Sequence, residues 1–115
     1  MNLDELGQKI RAVSDDPVVQ GVANQLRDWK ASSDTAHQLS VAMERYIGNV
    51  WIGSDSDHAQ VYSLWSEFKK DAILGISGMT MNERLYTFSL LDRFDTLQTE
   101  NDRNAMYLRL HASAA

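Results

Sequence analysis

Cysteine is absent from the 115 residues. That removes disulfides, thiolate nucleophiles and cysteine-ligated zinc or iron–sulfur sites together. Proline occurs once and glycine six times, so little interrupts helical periodicity. No apolar run approaches the roughly 20 residues that span a bilayer, and the opening MNLDELGQKI carries acids where a secretion signal needs bases. The expectation is a soluble cytoplasmic protein without membrane association. A basic cluster is also lacking: 11 basic residues stand scattered against 16 acidic ones, for a net charge of −5. Phosphate backbones are repelled on average, so no nucleic-acid partner is expected. Neither G-x-G-x-x-G nor a glycine-lysine-threonine loop occurs, nor H-E-x-x-H. With these phosphate-cradle and zinc-protease signatures missing, the reading assigns no cofactor and no enzyme activity.

What is present is amphipathic repetition. Leu3, Leu6, Ile10 and Val13 draw an apolar stripe at spacings of three and four on a first helix near 3–13. Asp16 and Pro17 open a second at about 17–30, with Val18, Val22, Leu26 and Trp29 inward. The polar stretch Ala31 to Asp34 caps a third near 35–51, carrying Leu39, Met43, Tyr46, Ile47 and Val50. A run from Gly53 to Asp57 precedes a fourth at about 57–74, with Val61, Leu64, Trp65, Phe68 and Ala72 on one side. Thr80 and Glu83 have the spacing of a capping box before a fifth, continuous through Leu97 and expected to be the most buried. A sixth opens at Thr99 and runs to about 111, with Ala105, Met106, Leu108 and Leu110 inward. Turns this brief force neighbouring helices to be nearly antiparallel or sharply bent. The fold class expected is all-α, a compact irregular bundle of about six short helices forming a single domain over 1–115. A chain of this mass hides roughly two-thirds of its extended surface on folding, enough for a core without metal or cross-links.

Few residues suggest chemistry. Asp55, Asp57 and His58 form a D-x-D-H cluster whose carboxylates can share a hard cation, yet the further oxygen ligands, central glycine and closing glutamate of a calcium loop are missing. The same acids fit a helix start, where they face the positive end of the dipole. His37, His58 and His111 fall on different predicted helices without a pairing motif. Trp29, Trp51 and Trp65 lie on apolar stripes that favour core packing, but Trp51 ends a helix beside Ile52 and Gly53 and can equally be an interface anchor. Surface acids are the remaining feature. With Trp51 as anchor and Asp55, Asp57, Glu67 and Asp71 as an acidic surround, these five residues are the candidate partner-binding set, and a negative field speeds encounter with a basic protein.

The stretch Gly78-Met79-Thr80-Met81-Asn82-Glu83-Arg84-Leu85-Tyr86, continuing through Leu90-Leu91-Asp92-Arg93-Phe94-Asp95, resembles a segment of small bacterial proteins with the pattern T-x-N-E-R-L-(F/Y)-x-x-x-L-L-D-x-F-D. Asp102 to Met106 also suits that pattern, and the resemblance covers about a third of the chain. It implies immunity proteins encoded beside polymorphic toxins or contact-dependent growth inhibition systems. On that reading the chain binds a cognate toxin domain, of basic character, and blocks it sterically as a monomer or homodimer. Two rivals stand beside it: a self-associating structural or regulatory helical domain, and a metal-dependent enzyme centred on Asp55, Asp57 and His58.

Overall fold

The computed structural model describes residues 1–112, which form seven α-helices: α1 (Leu3–Arg11), α2 (Pro17–Ala31), α3 (Ala36–Asn49), α4 (Asp55–Phe68), α5 (Met81–Thr87), α6 (Leu91–Asp95) and α7 (Glu100–Arg109). No strand occurs among the described residues, and the fold is an all-α bundle. A π-helical turn, Lys69–Ile73, extends α4, and a 3₁₀ turn, Ile76–Gly78, precedes α5.

Local chemistry sets most of the helix starts. Asn2 and Glu5 form a reciprocal capping box on α1, as do Thr35 and Gln38 on α3 and Thr80 and Glu83 on α5. Each satisfies amides that the first helical turn leaves without partners. Asp16 accepts the Val18 amide with Pro17 in the first turn of α2, Ser54 accepts the Asp57 amide on α4 and Thr99 the Asp102 amide on α7. The cap of α3 is thus Thr35 rather than the Ala31–Asp34 stretch. Thr80 holds the Glu83 carboxylate by backbone and hydroxyl contacts, which lowers its pKa below the ordinary value.

The apolar stripes close on one interior. Leu3, Leu6 and Ile10 of α1 pack with α2 and α4, while Leu39, Met43 and Ile47 of α3 complete the wall behind Val61, Trp65 and Phe68. On α2 Val19 is fully buried together with Val22, whereas Val18, expected inward, is only half-buried. Aromatic rings run through the centre: Trp29 lies 5.5 Å from Phe88, Phe88 meets Phe68 edge-on at 5.7 Å, and Phe68 lies 6.0 Å from Trp65. Such tilted and edge-on pairs add to the large area that the rings bury. Tyr46 of α3 crosses α2 directly over Gly21, where an added Cβ would collide with the phenol oxygen.

Two expectations about the last third are corrected. The fifth helix is not continuous, because Ser89 takes a left-handed conformation, φ 56°, between α5 and α6. The Ser89 amide bonds the Tyr86 carbonyl at 3.0 Å and the Leu90 amide reaches back to Leu85 at 2.8 Å. This is a Schellman ending, ordinarily built on glycine. Here it delivers Leu90 to the core, and the Ser89 hydroxyl accepts the Asp4 amide of α1 at 3.0 Å. Nor is this segment the most buried: Leu85, Phe88 and Leu90 are enclosed, but Tyr86 is exposed and Leu91, Phe94 and Leu97 are half-buried.

On α7 the inward position expected for Leu108 belongs to Arg109. Leu108 is 62 % exposed and Arg109 only 4 %. The guanidinium lies 4.4 Å above the Trp29 ring. Its Nε donates to Asp34 O at 2.8 Å and Nη2 to Trp29 O at 2.7 Å. Arg93 of α6 donates to Lys30 O at 2.7 Å and Ser32 O at 3.3 Å. Two arginines thereby take up carbonyls at the end of α2, where the helix dipole favours cations. Burial, reinforced by the neighbouring Arg93 charge, pushes the Arg109 pKa down to about 10, while Asp34 pulls the other way.

Candidate partner-binding surface

The five predicted contact residues lie in the segment joining α3 to α4, along α4 and in its π-helical extension. Val50 leaves helical geometry after Asn49, and Trp51 follows in the connecting segment with 82 % of its surface exposed, while its neighbour Ile52 turns into the core. Trp29 and Trp65, in contrast, are core residues. Asp55 and Asp57 occupy the first turn of α4, Asp55 exposed and Asp57 half-buried. Ser54 Oγ accepts the Asp57 amide at 3.2 Å, so the backbone leaves both carboxylates outside the cap bond.

Glu67 and Asp71 are exposed at the far end of the same element. Twelve residues separate Asp55 from Glu67, roughly 18 Å of helix rise. The set is therefore two patches, Trp51 with Asp55 and Asp57 at one end, Glu67 with Asp71 at the other.

Two features between the patches carried no sequence assignment. Tyr62, two turns after Asp55 and hence on the same helical face, is 47 % exposed. On a different face of α4, Ser56, Ala59, Gln60, Ser63 and Leu64, with Val13 beyond α1, enclose a shallow, mainly apolar groove of about 480 Å³. Tyr62 was legible from helical spacing, since it falls on the flank of the Val61–Trp65–Phe68 stripe rather than in it. The groove was not, because it requires knowing that the end of α1 lies against α4.

The platform beneath is fixed by Glu44 of α3, whose Oε1 accepts Trp65 Nε1 at 2.9 Å and Lys69 Nζ at 2.9 Å. The Lys69 hydrogen bond, then that from Trp65, holds the Glu44 carboxyl below its ordinary pKa against a smaller opposing effect of burial. This couples α3 to the far end of α4 and limits how the two patches can move relative to each other.

Other chemistry has less to build on. His58 is half-buried with Nε2 3.4 Å from the Ile47 carbonyl. Among the described residues no three His, Asp or Glu side chains gather as a metal-holding group, Asp55, Asp57 and His58 included. No described helix is long and apolar enough to cross a membrane. Comparison with protein-family models, with curated proteins and with solved structures finds no match.

Proposed function

We propose that the chain is an immunity-type recognition domain that, in the cytoplasm, binds a basic toxin domain across the Trp51–α4 face and neutralises it by covering its working surface. The observation that carries this reading is Trp51, 82 % exposed at the edge of an acidic helix start. A large apolar ring held in water is unfavourable in isolation, and tryptophan is among the residues that most often dominate binding energy. The groove between Val13 and α4 gives a partner side chain a place to enter, and the carboxylates of α4 steer a positive surface toward it. The resemblance of the Thr80–Asp95 segment to immunity proteins supports the same assignment. That segment supplies scaffold here, through its capping box and the Leu85, Phe88 and Leu90 core positions, leaving recognition to the opposite part of the chain.

The test is co-expression with the toxin domain encoded beside the gene, followed by calorimetry on the purified pair. Growth protection with sub-micromolar binding is expected. Trp51→Ala should weaken affinity by at least about thirtyfold, the equivalent of a hot-spot side chain. Its stability should stay within about 0.5 kcal/mol of the parent because the side chain is exposed. Asp55→Asn with Asp57→Asn should slow association and flatten its salt dependence. Unaltered binding by Trp51→Ala, or no protection from the adjacent toxin, would defeat the assignment. A concentration-dependent dimer lost in Trp51→Ala would transfer this face to self-association.

A further inference from the structure

A second site is suggested at the opposite end of the chain, where the α2–α3 turn meets α6 and α7. A cleft of about 370 Å³ there is lined by Ser33, Thr35, Arg93, Leu97, Asp102, Ala105, Met106, Leu108 and Arg109. Its size lies at the lower end of the range for small-molecule sites. The two arginines are unusual company. Both direct Nη1 at the same Lys30 oxygen, Arg93 at 2.7 Å and Arg109 at 3.5 Å, and neither forms an ion pair among the described residues.

Closing the end of α2 accounts for only part of this. One cation suffices to complement a helix C-terminus, whereas two adjacent cations repel each other. Arg109 commits Nε and Nη2 to short bonds, but its Nη1 has only the 3.5 Å contact and Met106 Sδ at 3.9 Å. Arg93 spends Nη1 alone; its Nε and Nη2 make no hydrogen bond among the described residues. The unused Nε and Nη2 of Arg93 form a planar pair that matches the two oxygens of a carboxylate, which accepts in bidentate fashion, while the buried Arg109, hydrogen-bonded through every nitrogen, adds positive charge behind it. Leu97, Met106 and the exposed Leu108 give the same cleft an apolar wall. Asp102 on its lining opposes a second negative charge, which disfavours phosphates and dicarboxylates.

We propose that this cleft binds a small monocarboxylate bearing an apolar group, with the carboxylate on the free Nε and Nη2 edge of Arg93, in the positive field of Arg109, and the apolar group against Leu97, Met106 and Leu108. The bound anion offsets the repulsion between the guanidiniums. The site is separate from the Trp51 face and does not depend on the function assigned to it.

The probe is 3-phenylpropionate, titrated into protein carrying ¹³C-labelled leucine and methionine methyls, with 3-phenylpropanol as the uncharged control of the same shape. Saturable shifts at Leu97, Met106 and Leu108 are expected with the acid, and at least tenfold weaker ones with the alcohol. Arg93→Gln should weaken the acid at least tenfold while the core methyl spectrum stays unchanged. Ala105→Trp, which fills the cleft without touching α2, should abolish binding. Should that variant fail to fold, Arg93→Gln decides alone. Equal binding of acid and alcohol, shifts confined to the Val13–Leu64 groove, an unaffected Arg93→Gln, or no saturable response in the parent protein would each overturn the proposal.

Discussion

Ser89 sits where a helix ending ordinarily takes glycine, and its replacement separates two opposed energies. The left-handed backbone, φ 56°, costs an L-residue about 1–2 kcal/mol. Against that, the hydroxyl accepts the Asp4 amide at 3.0 Å, a bond worth about 1 kcal/mol net. Ser89→Ala removes the bond and keeps the strain, so it should destabilise by about 1 kcal/mol. Ser89→Gly also removes the bond, but it relieves the strain while adding about 0.5–1 kcal/mol of chain entropy to the unfolded state. Those contributions nearly cancel, leaving the glycine variant within about 0.5 kcal/mol of the parent and above the alanine one. Urea unfolding followed by fluorescence of the buried Trp29 and Trp65 measures the gap, and a parallel thermal melt should separate the two variants by about 3–6 °C. An alanine variant as stable as the glycine variant would show that the Ser89 backbone stores no strain, and the account of why the fifth predicted helix divides would fail with it.

Three other substitutions probe the joints between helices. Arg109→Met should lower stability by about 3 kcal/mol in the same urea assay, because it removes the 2.7 and 2.8 Å bonds to Trp29 O and Asp34 O and leaves the Asp34 carbonyl without that donor. Gly21→Ala should cost about 1–3 kcal/mol through collision with the Tyr46 hydroxyl, and Gly21→Ala with Tyr46→Phe should recover part of it, as a double-mutant cycle reports. Glu44, whose carboxyl pKa is lowered by its Lys69 and Trp65 hydrogen bonds, contributes stability when ionised. That contribution is present above the ordinary glutamate value of 4.5 and is lost as pH falls through the lower folded value. Glu44→Gln should therefore be less stable than the parent by about 1 kcal/mol near neutral pH, a modest figure because the ion pair is one-third exposed. The difference should shrink as the pH of denaturant titrations falls below 4.5.

Fold class was legible because four of the helices carry their starting instructions locally. Asp16-Pro17, Ser54, Thr80 with Glu83, and Thr99 all begin helices where their side chains can reach the free amides. The break at Ser89 was not legible, since its justification lies in α1: the hydroxyl's partner is 85 positions away. Arg109 escaped for a different reason. The 3.6-residue period groups it with Met106 and Leu110, but hydropathy favoured Leu108, and the carbonyls that make a buried guanidinium tolerable belong to Trp29, Lys30 and Asp34. At the candidate surface the exposure of Trp51 and the acids of α4 could be anticipated from the end of one amphipathic stripe and the cap of the next. The groove against Val13 could not, because two distant segments create it.

The bond from Arg109 to Trp29 also bears on how the molecule is made. Its partners stand 80 positions apart, and at about 5–20 residues per second a ribosome needs roughly 4–16 seconds to travel between them. Throughout that interval the nascent chain holds the end of its second helix open, with the Trp29 ring lacking its guanidinium cover. The contact that closes the end of α2 therefore forms only once Arg109 has been made, and truncation a few residues upstream of Arg109 should yield a species recognised by chaperones rather than a slightly shortened native protein.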